Sequence, residues 1–261
     1  MLQHDGWDVN SRIGILTYAS DVGPESEIRA VAPTDVGVHV ARVPGNVRMF
    51  CDEGESSSAV ASILDVDDPN AVRSSAAHLA AAPVAAIGLC STCYSYRIGR
   101  AGEPQVLAEI RKCVRGLPVV TPPAAMVQAL NSFEAHTLAI VNPPWFSHQS
   151  AELGARYFRD AGFRIGLNMV ADVAGNQHLV TRADLYRCIV SSITEGVEAV
   201  VIVGNGFRSI GVVGDLEAEL GIPVFSANQV LLWALMSLAN ATPQRVHGYG
   251  AVFRIPYVPT I

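Results

Sequence analysis

Short apolar runs rich in Val and Ile alternate along this chain with longer stretches of helical character. Runs of this kind predict strands of a parallel sheet that is buried on both faces, with helices as the covering layers. The predicted strands are Arg12 to Tyr18, Val36 to Val43, Val84 to Leu89, Pro118 to Thr121, Thr137 to Asn142, Arg164 to Val170, Ala199 to Val203 and Pro223 to Ser226. The predicted helices are Asp67 to Ala82, Pro104 to Arg115, Ser147 to Ala161, Thr181 to Gly196, Ile210 to Leu220 and Ala227 to Ala239. The fold is therefore predicted to be α/β and doubly wound.

The two halves of the chain repeat one pattern. An apolar run that ends at Leu89 leads into Cys90, and a second run that ends at Val203 leads into Gly204. A Gly-x-Pro-Val segment and an apolar helical stretch follow in each half. We expect two pseudo-symmetric parallel-sheet halves, residues 1–133 and 134–261, with a cleft between them and a C-terminal segment that crosses back onto the first half. This alignment sets Cys90 opposite Gly204.

Composition narrows the possible partners. The 261 residues are 50% hydrophobic and carry 18 basic against 24 acidic residues, a net charge of -6. No basic block is present, so nucleic acid and anionic membranes are poor partners. Neither a signal peptide nor a run of apolar residues long enough to span a membrane is visible, so we expect a cytoplasmic protein. A homo-oligomer is the default expectation.

The cysteines favour free thiols over a disulfide framework. Five are present, an odd number, and only Cys90 and Cys93 form a C-x-x-C pair, which leaves a redox dithiol or half of a zinc site as alternatives. The seven histidines are scattered, and no second C-x-x-C pair completes a metal site. A nicotinamide cofactor is also disfavoured, because Ser209 stands where the glycine fingerprint needs its last glycine. We expect no cofactor and no metal.

The polar clusters fall at the carboxyl ends of the predicted strands, where open parallel sheets bind their ligands. Cys90 stands where a strand passes into a helix, so nearby N–H groups are expected to lower its pKa and make a thiolate available. Ser91 and Thr92 follow with hydroxyls and amides suited to holding a carboxylate. The alternative is that Cys90 is a small buried core residue, the commonest fate of a free cysteine.

Three further segments are candidates for substrate binding. Gly204, Asn205 and Gly206 form a loop that either presents consecutive N–H groups to an anion or makes a tight strand-to-helix turn. Trp145 and Phe146 follow two prolines and either wall a pocket or pack the next helix. Asp21 either orients a substrate or caps a helix. His148, near the same rim, is expected to be exposed.

Taken in order, these segments resemble the aspartate/glutamate racemase superfamily, and within it the branch of maleate cis-trans isomerases and arylmalonate decarboxylases. The resemblance rests on Arg12 to Thr17, Gly88 to Thr92, Thr137 to Phe163 and Gly204 to Leu235. It implies two flavodoxin-like halves, no cofactor or metal, and one cysteine from each half across a carboxylate-binding cleft. Cys90 matches the first-half cysteine, Ser91 and Thr92 match the carboxylate-cradling hydroxyls, and Asn205 and Gly206 match the amides of the second-half loop.

The chain departs from that family at three places. Gly204 replaces the second cysteine, Asp21 replaces an asparagine, and Trp145 or Phe146 falls where a tyrosine is usual. A two-base racemase needs a proton acceptor on one face of the substrate and a donor on the other, so racemisation is disfavoured.

Two reactions remain possible with one thiol. In cis-trans isomerisation of a small unsaturated diacid, placed slightly ahead, the Cys90 thiolate adds to the double bond and generates an enediolate. In decarboxylation of a malonate-type acid, Cys90 protonates the enediolate from one face. A protein that binds a small carboxylate without converting it is the third hypothesis.

Overall fold

The computed structural model describes residues 6, 7, 9–44 and 69–258. Four strands, β1 (Ser11–Tyr18), β2 (Val36–Val43), β3 (Ala86–Leu89) and β4 (Val119–Val120), form a parallel sheet in the order β2-β1-β3-β4. Four more, β5 (Thr137–Asn142), β6 (Arg164–Val170), β7 (Ala199–Ile202) and β8 (Val224–Ser226), form a second parallel sheet in the order β6-β5-β7-β8. The same strand order recurs in both sheets, so the predicted α/β class with two pseudo-symmetric halves is confirmed. The boundary at residues 133 and 134 stays a prediction.

Eight α-helices connect the described strands: α1 (Gly23–Val31), α2 (Pro69–Leu79), α3 (Thr92–Cys113), α4 (Pro122–Ser132), α5 (His148–Asp160), α6 (Arg182–Ser192), α7 (Val213–Leu220) and α8 (Ala227–Leu238). Short 3₁₀ turns lie at Ile210–Val212, Pro243–Arg245 and Ala251–Arg254. Asp67 and Asp68, the first residues of the predicted helix Asp67 to Ala82, lie outside the described residues. Within the part of the chain described, no helix combines the length and the apolar character that a membrane crossing requires.

Two helical segments differ from the prediction. Helix α1 was not predicted, because its short sequence, which follows Asp21 and has Pro24 in its first turn, contains no apolar run. Helix α3 begins at Thr92 rather than at Pro104, and a backbone break at Gly99, with φ of 72°, separates its two parts. Pro104 lies inside the second part, five residues after that break, where its missing N–H removes one helical hydrogen bond. The sequence signal therefore captured only the second part of α3.

The core between the sheets is built around α8. Successive strand residues point to opposite faces, so Ile13 and Ile15 of β1 face this central core while Leu16 faces the outer helices. A Cβ atom added to Gly88 of β3 would lie 2.9 Å from Leu235 of α8, which explains the glycine at this close approach. The second-half helix α8 thus packs directly on the first-half sheet.

Candidate active site

Cys90 occupies the first position after β3, at the carboxyl end of the first sheet. Its N–H donates to the carbonyl oxygen of Leu16 in β1, at 2.8 Å, and its side chain faces the central core with 1% of its surface exposed. Ser91 follows as the N-cap of α3, and its hydroxyl oxygen accepts the Tyr94 N–H at 3.2 Å. The predicted strand-to-helix position of Cys90 is therefore what the structure shows.

The expected low pKa of Cys90 is wrong. Burial raises the pKa of this thiol well above its ordinary value, and the negative charge of Asp21 raises it further. Loss of thiolate hydration on burial raises the pKa by more than the positive end of the α3 dipole lowers it. Cys90 is consequently a neutral thiol near pH 7 in this closed arrangement, and a substrate can reach it only if surrounding groups move.

The expected pairing of Cys90 with Gly204 is displaced by one residue. Cys90 N–H bonds to the carbonyl of Leu16, and the matching bond of the second sheet runs from Val203 N–H to Val141. Cys90 and Val203 also share the central core, as equivalent strand positions must. The structural counterpart of Cys90 is therefore Val203, and Gly204 stands one residue further along.

The backbone at Gly204 requires glycine. Its φ is 87°, and an added Cβ would lie 2.9 Å from the Pro143 ring. A tight strand-to-helix turn that needs positive φ is therefore sufficient to explain why glycine stands at position 204.

The segments after β1, β3 and β7 touch across the two halves. The Thr92 N–H, at the start of α3, donates to the side-chain oxygen of Asn205 at 3.1 Å. A Cβ atom on Gly23 would lie 2.5 Å from the Asn205 carbonyl oxygen, and one on Gly206 would lie 3.0 Å from an Asp21 carboxylate oxygen. Four predicted site residues, Asp21, Thr92, Asn205 and Gly206, are thereby brought into one cluster.

Asp21 acts as a turn acceptor and as a source of negative charge. Its carboxylate accepts the Gly23 N–H at 3.1 Å in the turn before α1, whereas the N-cap residue of that helix is Val22. Burial raises the pKa of Asp21 to about 6, although the Gly23 hydrogen bond and the charge of Arg42 lower it. Near pH 7 the side chain is mainly ionised, which is why it opposes ionisation of Cys90.

The aromatic pair separates into two environments. Trp145 packs edge-on against Phe207, with ring centroids 5.6 Å apart, directly behind the 204–206 loop. Phe146 is buried in the central core, so packing accounts for it. His148 is exposed, as predicted.

Sequence reasoning missed two polar residues at this cluster. Thr17, the β1 neighbour of Cys90 on the same sheet face, is 1% exposed, and its hydroxyl has no hydrogen-bond partner among the described residues. A Cβ atom on Gly206 would lie 3.1 Å from the Gln177 side-chain oxygen. The sequence could have indicated Thr17, since this polar residue lies next to the end of a predicted strand. Gln177 lies in a loop of ordinary composition and carried none.

Other candidate chemistry finds no support at this cluster. Cys90 and Cys93 are free thiols, as are Cys113 and Cys188, whereas Cys51 lies outside the described residues. Over the described ranges, no group of three His, Cys, Asp or Glu side chains is arranged to hold a metal ion. A cavity of about 950 Å³ lies elsewhere, between α7 and the C-terminal segment.

Two parallel-sheet halves with a strand-end thiol and facing polar loops are the arrangement that the sequence resemblance implied. The model of the arylmalonate decarboxylase family matches residues 62–253, and the chain belongs to this family. The resemblance stated from the sequence is thus confirmed at the level of this branch.

The similar proteins include both maleate isomerases and an arylmalonate decarboxylase. The maleate isomerase of Pseudomonas putida (strain KT2440) is 29% identical over 143 residues, which cover 54% of this chain and 56% of that protein, so the match spans about half its length. A structure of maleate isomerase Iso from Pseudomonas putida S16 with maleate is 22% identical, covers 93% of this chain and 97% of its own, and superposes with a TM-score of 0.78. An arylmalonate decarboxylase structure is 19% identical, covers 93% and 99%, and has a TM-score of 0.70.

A third structure is a Nocardia farcinica maleate cis-trans isomerase in which serine replaces one cysteine, with a covalently bound succinylcysteine intermediate. It is 21% identical, covers 94% of this chain and 98% of its own, and has a TM-score of 0.77. At these identities the solved structures show a shared fold. The relatives are isomerases and decarboxylases, so the family to which the chain belongs is one of enzymes.

Proposed function

We propose that this protein is a cofactor-independent enzyme that converts a small carboxylic acid through an enediolate, with Cys90 as the reacting group. The observation that carries the proposal is the position of this thiol. It lies at a strand end beside the α3 N-terminus, where the loops of both halves meet. Hydrogen-bond donors at such a point stabilise the negative charge that develops on an enediolate.

The substrate carboxylate has specific candidate donors. The Ser91 hydroxyl accepts from Tyr94 and keeps its own proton to donate, and the Thr17 hydroxyl is buried beside Cys90. The Thr92 N–H is already bonded to Asn205, so it is not counted among these donors. The Gly206 N–H completes the proposed set, on the side of the second half.

Decarboxylation is the reaction that the geometry supports best. The carbon–carboxylate bond of a malonate-type acid breaks, CO₂ leaves, and the bonding pair passes into the remaining carboxylate to form the enediolate. The neutral Cys90 thiol then transfers its proton to the α-carbon, and water reprotonates the resulting thiolate. Burial and the charge of Asp21 keep the thiol protonated near pH 7, which is the state that this step requires.

Isomerisation of maleate type is the second candidate, favoured by the relatives. Here the Cys90 thiolate adds to one alkene carbon, the electron pair moves into the far carboxylate, rotation follows, and loss of the thiolate restores the double bond. The Nocardia structure contains such a cysteine adduct in a protein with one cysteine replaced. In this chain the thiol must first lose its proton, and the Asp21 carboxylate is positioned in the same cluster to oppose that charge or to accept the proton.

The deciding experiment follows maleate and phenylmalonate by proton NMR with the wild-type protein, Cys90→Ser and the control Cys113→Ser. We expect wild type and Cys113→Ser to convert one acid and Cys90→Ser to lose at least a hundredfold in kcat while keeping its fold by circular dichroism. Formation of phenylacetate assigns decarboxylation, and formation of fumarate assigns isomerisation. Undiminished turnover by Cys90→Ser would remove Cys90 from the mechanism. Thermal stabilisation of all three proteins by a diacid without turnover would identify a binding protein instead.

A further inference from the structure

A chain of buried hydrogen bonds runs from the middle of α1 to the start of α3, through the second half. One carboxylate oxygen of Glu27 accepts the N–H groups of Ser209 and Ile210 at 2.7 and 3.0 Å. Its other oxygen accepts the Asn228 side-chain NH₂ at 2.8 Å. Glu27, Asn205 and Asn228 are 9%, 3% and 0% exposed, so water does not compete for these bonds.

The next links carry this chain to the candidate active site. The Asn228 side-chain oxygen accepts the Asn205 NH₂ at 2.8 Å, and the Asn228 NH₂ also donates to the Asn205 carbonyl at 2.8 Å. The Asn205 side-chain oxygen then accepts the Thr92 N–H at 3.1 Å. Thr92 is two residues beyond Cys90, at the first position of α3. Two amide side chains thus connect a buried carboxylate to the helix that Cys90 precedes.

The two ends of this chain dictate the orientation of the amides between them. An ionised carboxylate, the form that Glu27 takes above pH 7, only accepts, and a backbone N–H only donates. Glu27 therefore requires an NH₂ from Asn228, which turns the Asn228 oxygen toward Asn205. Asn205 must then donate its own NH₂ to the Asn228 oxygen, so the Asn205 side-chain oxygen faces the Thr92 N–H. Every donor meets an acceptor in this one arrangement, and reversing any amide leaves two donors face to face.

We propose that Glu27 is a positioning residue for the candidate active site: its carboxylate, acting through Asn228, orients Asn205 so that Asn205 holds the start of α3 and fixes Cys90 relative to the second half. The proposal deepens the proposed function and rests on it for its effect on turnover. The same carboxylate also anchors the end of the 204–210 loop through Ser209 and Ile210. Glu27 therefore sets both the position of the loop and the polarity of its contact with α3.

A charge-swap series separates this role from simple stability. In Glu27→Gln the side-chain oxygen can still accept the N–H groups of Ser209 and Ile210. The new NH₂ group, however, faces the NH₂ of Asn228. If the Asn228 and Asn205 amides reverse to relieve this contact, the two facing donors become the Asn205 NH₂ and the Thr92 N–H. In Asn228→Asp two carboxylates face each other. In the double variant Glu27→Gln/Asn228→Asp, the new carboxylate accepts from Gln on one side and from Asn205 on the other. The orientation of Asn205 is then restored, with only the donor to its carbonyl lost.

The matched control is Glu103→Gln. Glu103 is also a buried carboxylate, 1% exposed, and it accepts the hydroxyls of Thr121 and Tyr157, each at 2.5 Å. Hydroxyls can accept as well as donate, so they can rotate to suit a glutamine, whereas the backbone N–H groups around Glu27 cannot. This variant tests loss of a buried charge without reversal of an amide chain.

Two readouts test the proposal. The first is hydrogen exchange of the Thr92 N–H by NMR at pH 8, where Glu27 is ionised, and it does not depend on any substrate. We expect exchange to rise at least tenfold in Glu27→Gln, to return most of the way in the double variant, and to be unchanged in Glu103→Gln. The second is turnover of the acid found above. We expect a fall of about tenfold in kcat for Glu27→Gln, equivalent to about 1.4 kcal/mol, with partial recovery in the double variant and a smaller change in KM.

Each outcome bears on the proposal separately from the function. Thr92 exchange in the double variant that is no slower than in Glu27→Gln would overturn the proposal, as would an equal rise in Glu103→Gln. If Glu27→Gln does not fold, Asn228→Ser breaks the middle link without changing charge, and unchanged Thr92 exchange there would equally overturn it. If the wild-type protein converts no acid, the proposed function fails, while the exchange data still decide whether Glu27 holds α3 through Asn205.

Discussion

The burial of Glu27 makes the stability of the fold depend on pH in a specific direction. Burial raises the pKa of this carboxyl from its ordinary 4.5 to about 7, even though the hydrogen bonds from Asn228, Ile210 and Ser209 lower it. The charge of Asp21 raises it further. Between these two pH values the folded protein retains a proton that the unfolded chain releases. The contribution of Glu27 to stability is therefore complete below pH 4.5 and is lost as the pH rises through about 7.

The size of the effect follows from the two pKa values. They differ by 2.5, the ordinary 4.5 subtracted from about 7, and each unit corresponds to about 1.36 kcal/mol, so the change is about 3 kcal/mol. Solvent screening reduces it little, because Glu27 is 9% exposed. A typical domain is stable by about 5–15 kcal/mol, so this one group is a substantial part of the total. Asp21, whose pKa rises from 3.8 to about 6, acts in the same direction.

Urea unfolding of wild type and Glu27→Gln between pH 4.5 and 8 measures this contribution. Other carboxyls with lowered pKa values, such as Glu198, oppose the trend. The difference between the two proteins isolates Glu27 because those groups are common to both. We expect the free energy of unfolding of wild type to fall by about 3 kcal/mol more than that of Glu27→Gln over this range. Parallel curves for the two proteins would refute the reasoning, since they would show that position 27 does not exchange its proton on unfolding.

Two further predictions concern the thiol and the loop opposite it. Iodoacetamide at pH 7 should modify the partly exposed Cys188 at least tenfold faster than Cys90, because burial raises the Cys90 pKa, and peptide mapping that finds Cys90 the faster would contradict this. Gly204→Ala should destabilise the fold by about 1–3 kcal/mol more than Gly162→Ala. Both glycines have positive φ, but only position 204 also meets Pro143. Equal losses in urea unfolding would show that the Pro143 contact costs nothing.

The sequence was sufficient for the class of fold and for the position of Cys90. Val- and Ile-rich runs and their repeated order predicted both sheets, and a strand-end cysteine followed by Ser91 predicted the thiol next to a helix start. These signals are local, since each depends on residues adjacent in the chain. The order of the motifs also identified the correct branch of the superfamily.

The electrostatic state and the polar connections of the site could not be predicted in this way. The pKa of Cys90 depends on burial by distant segments, which a strand-end pattern does not report. Glu27 lies in a helix that was not predicted, and its partners Ser209 and Asn228 are 182 and 201 residues away. The one-residue displacement that pairs Cys90 with Val203 depends on sheet register, which two similar motifs do not fix.

The burial of α8 has a consequence for the origin of such a chain. Its residues are covered by both sheets, and Leu231 and Leu235 lie against Gly88 of the other half. A polypeptide of half this length would expose that apolar helix and the sheet surface it covers, which favours self-association. An ancestor made of one repeat would therefore have needed a second copy of itself to cover these surfaces.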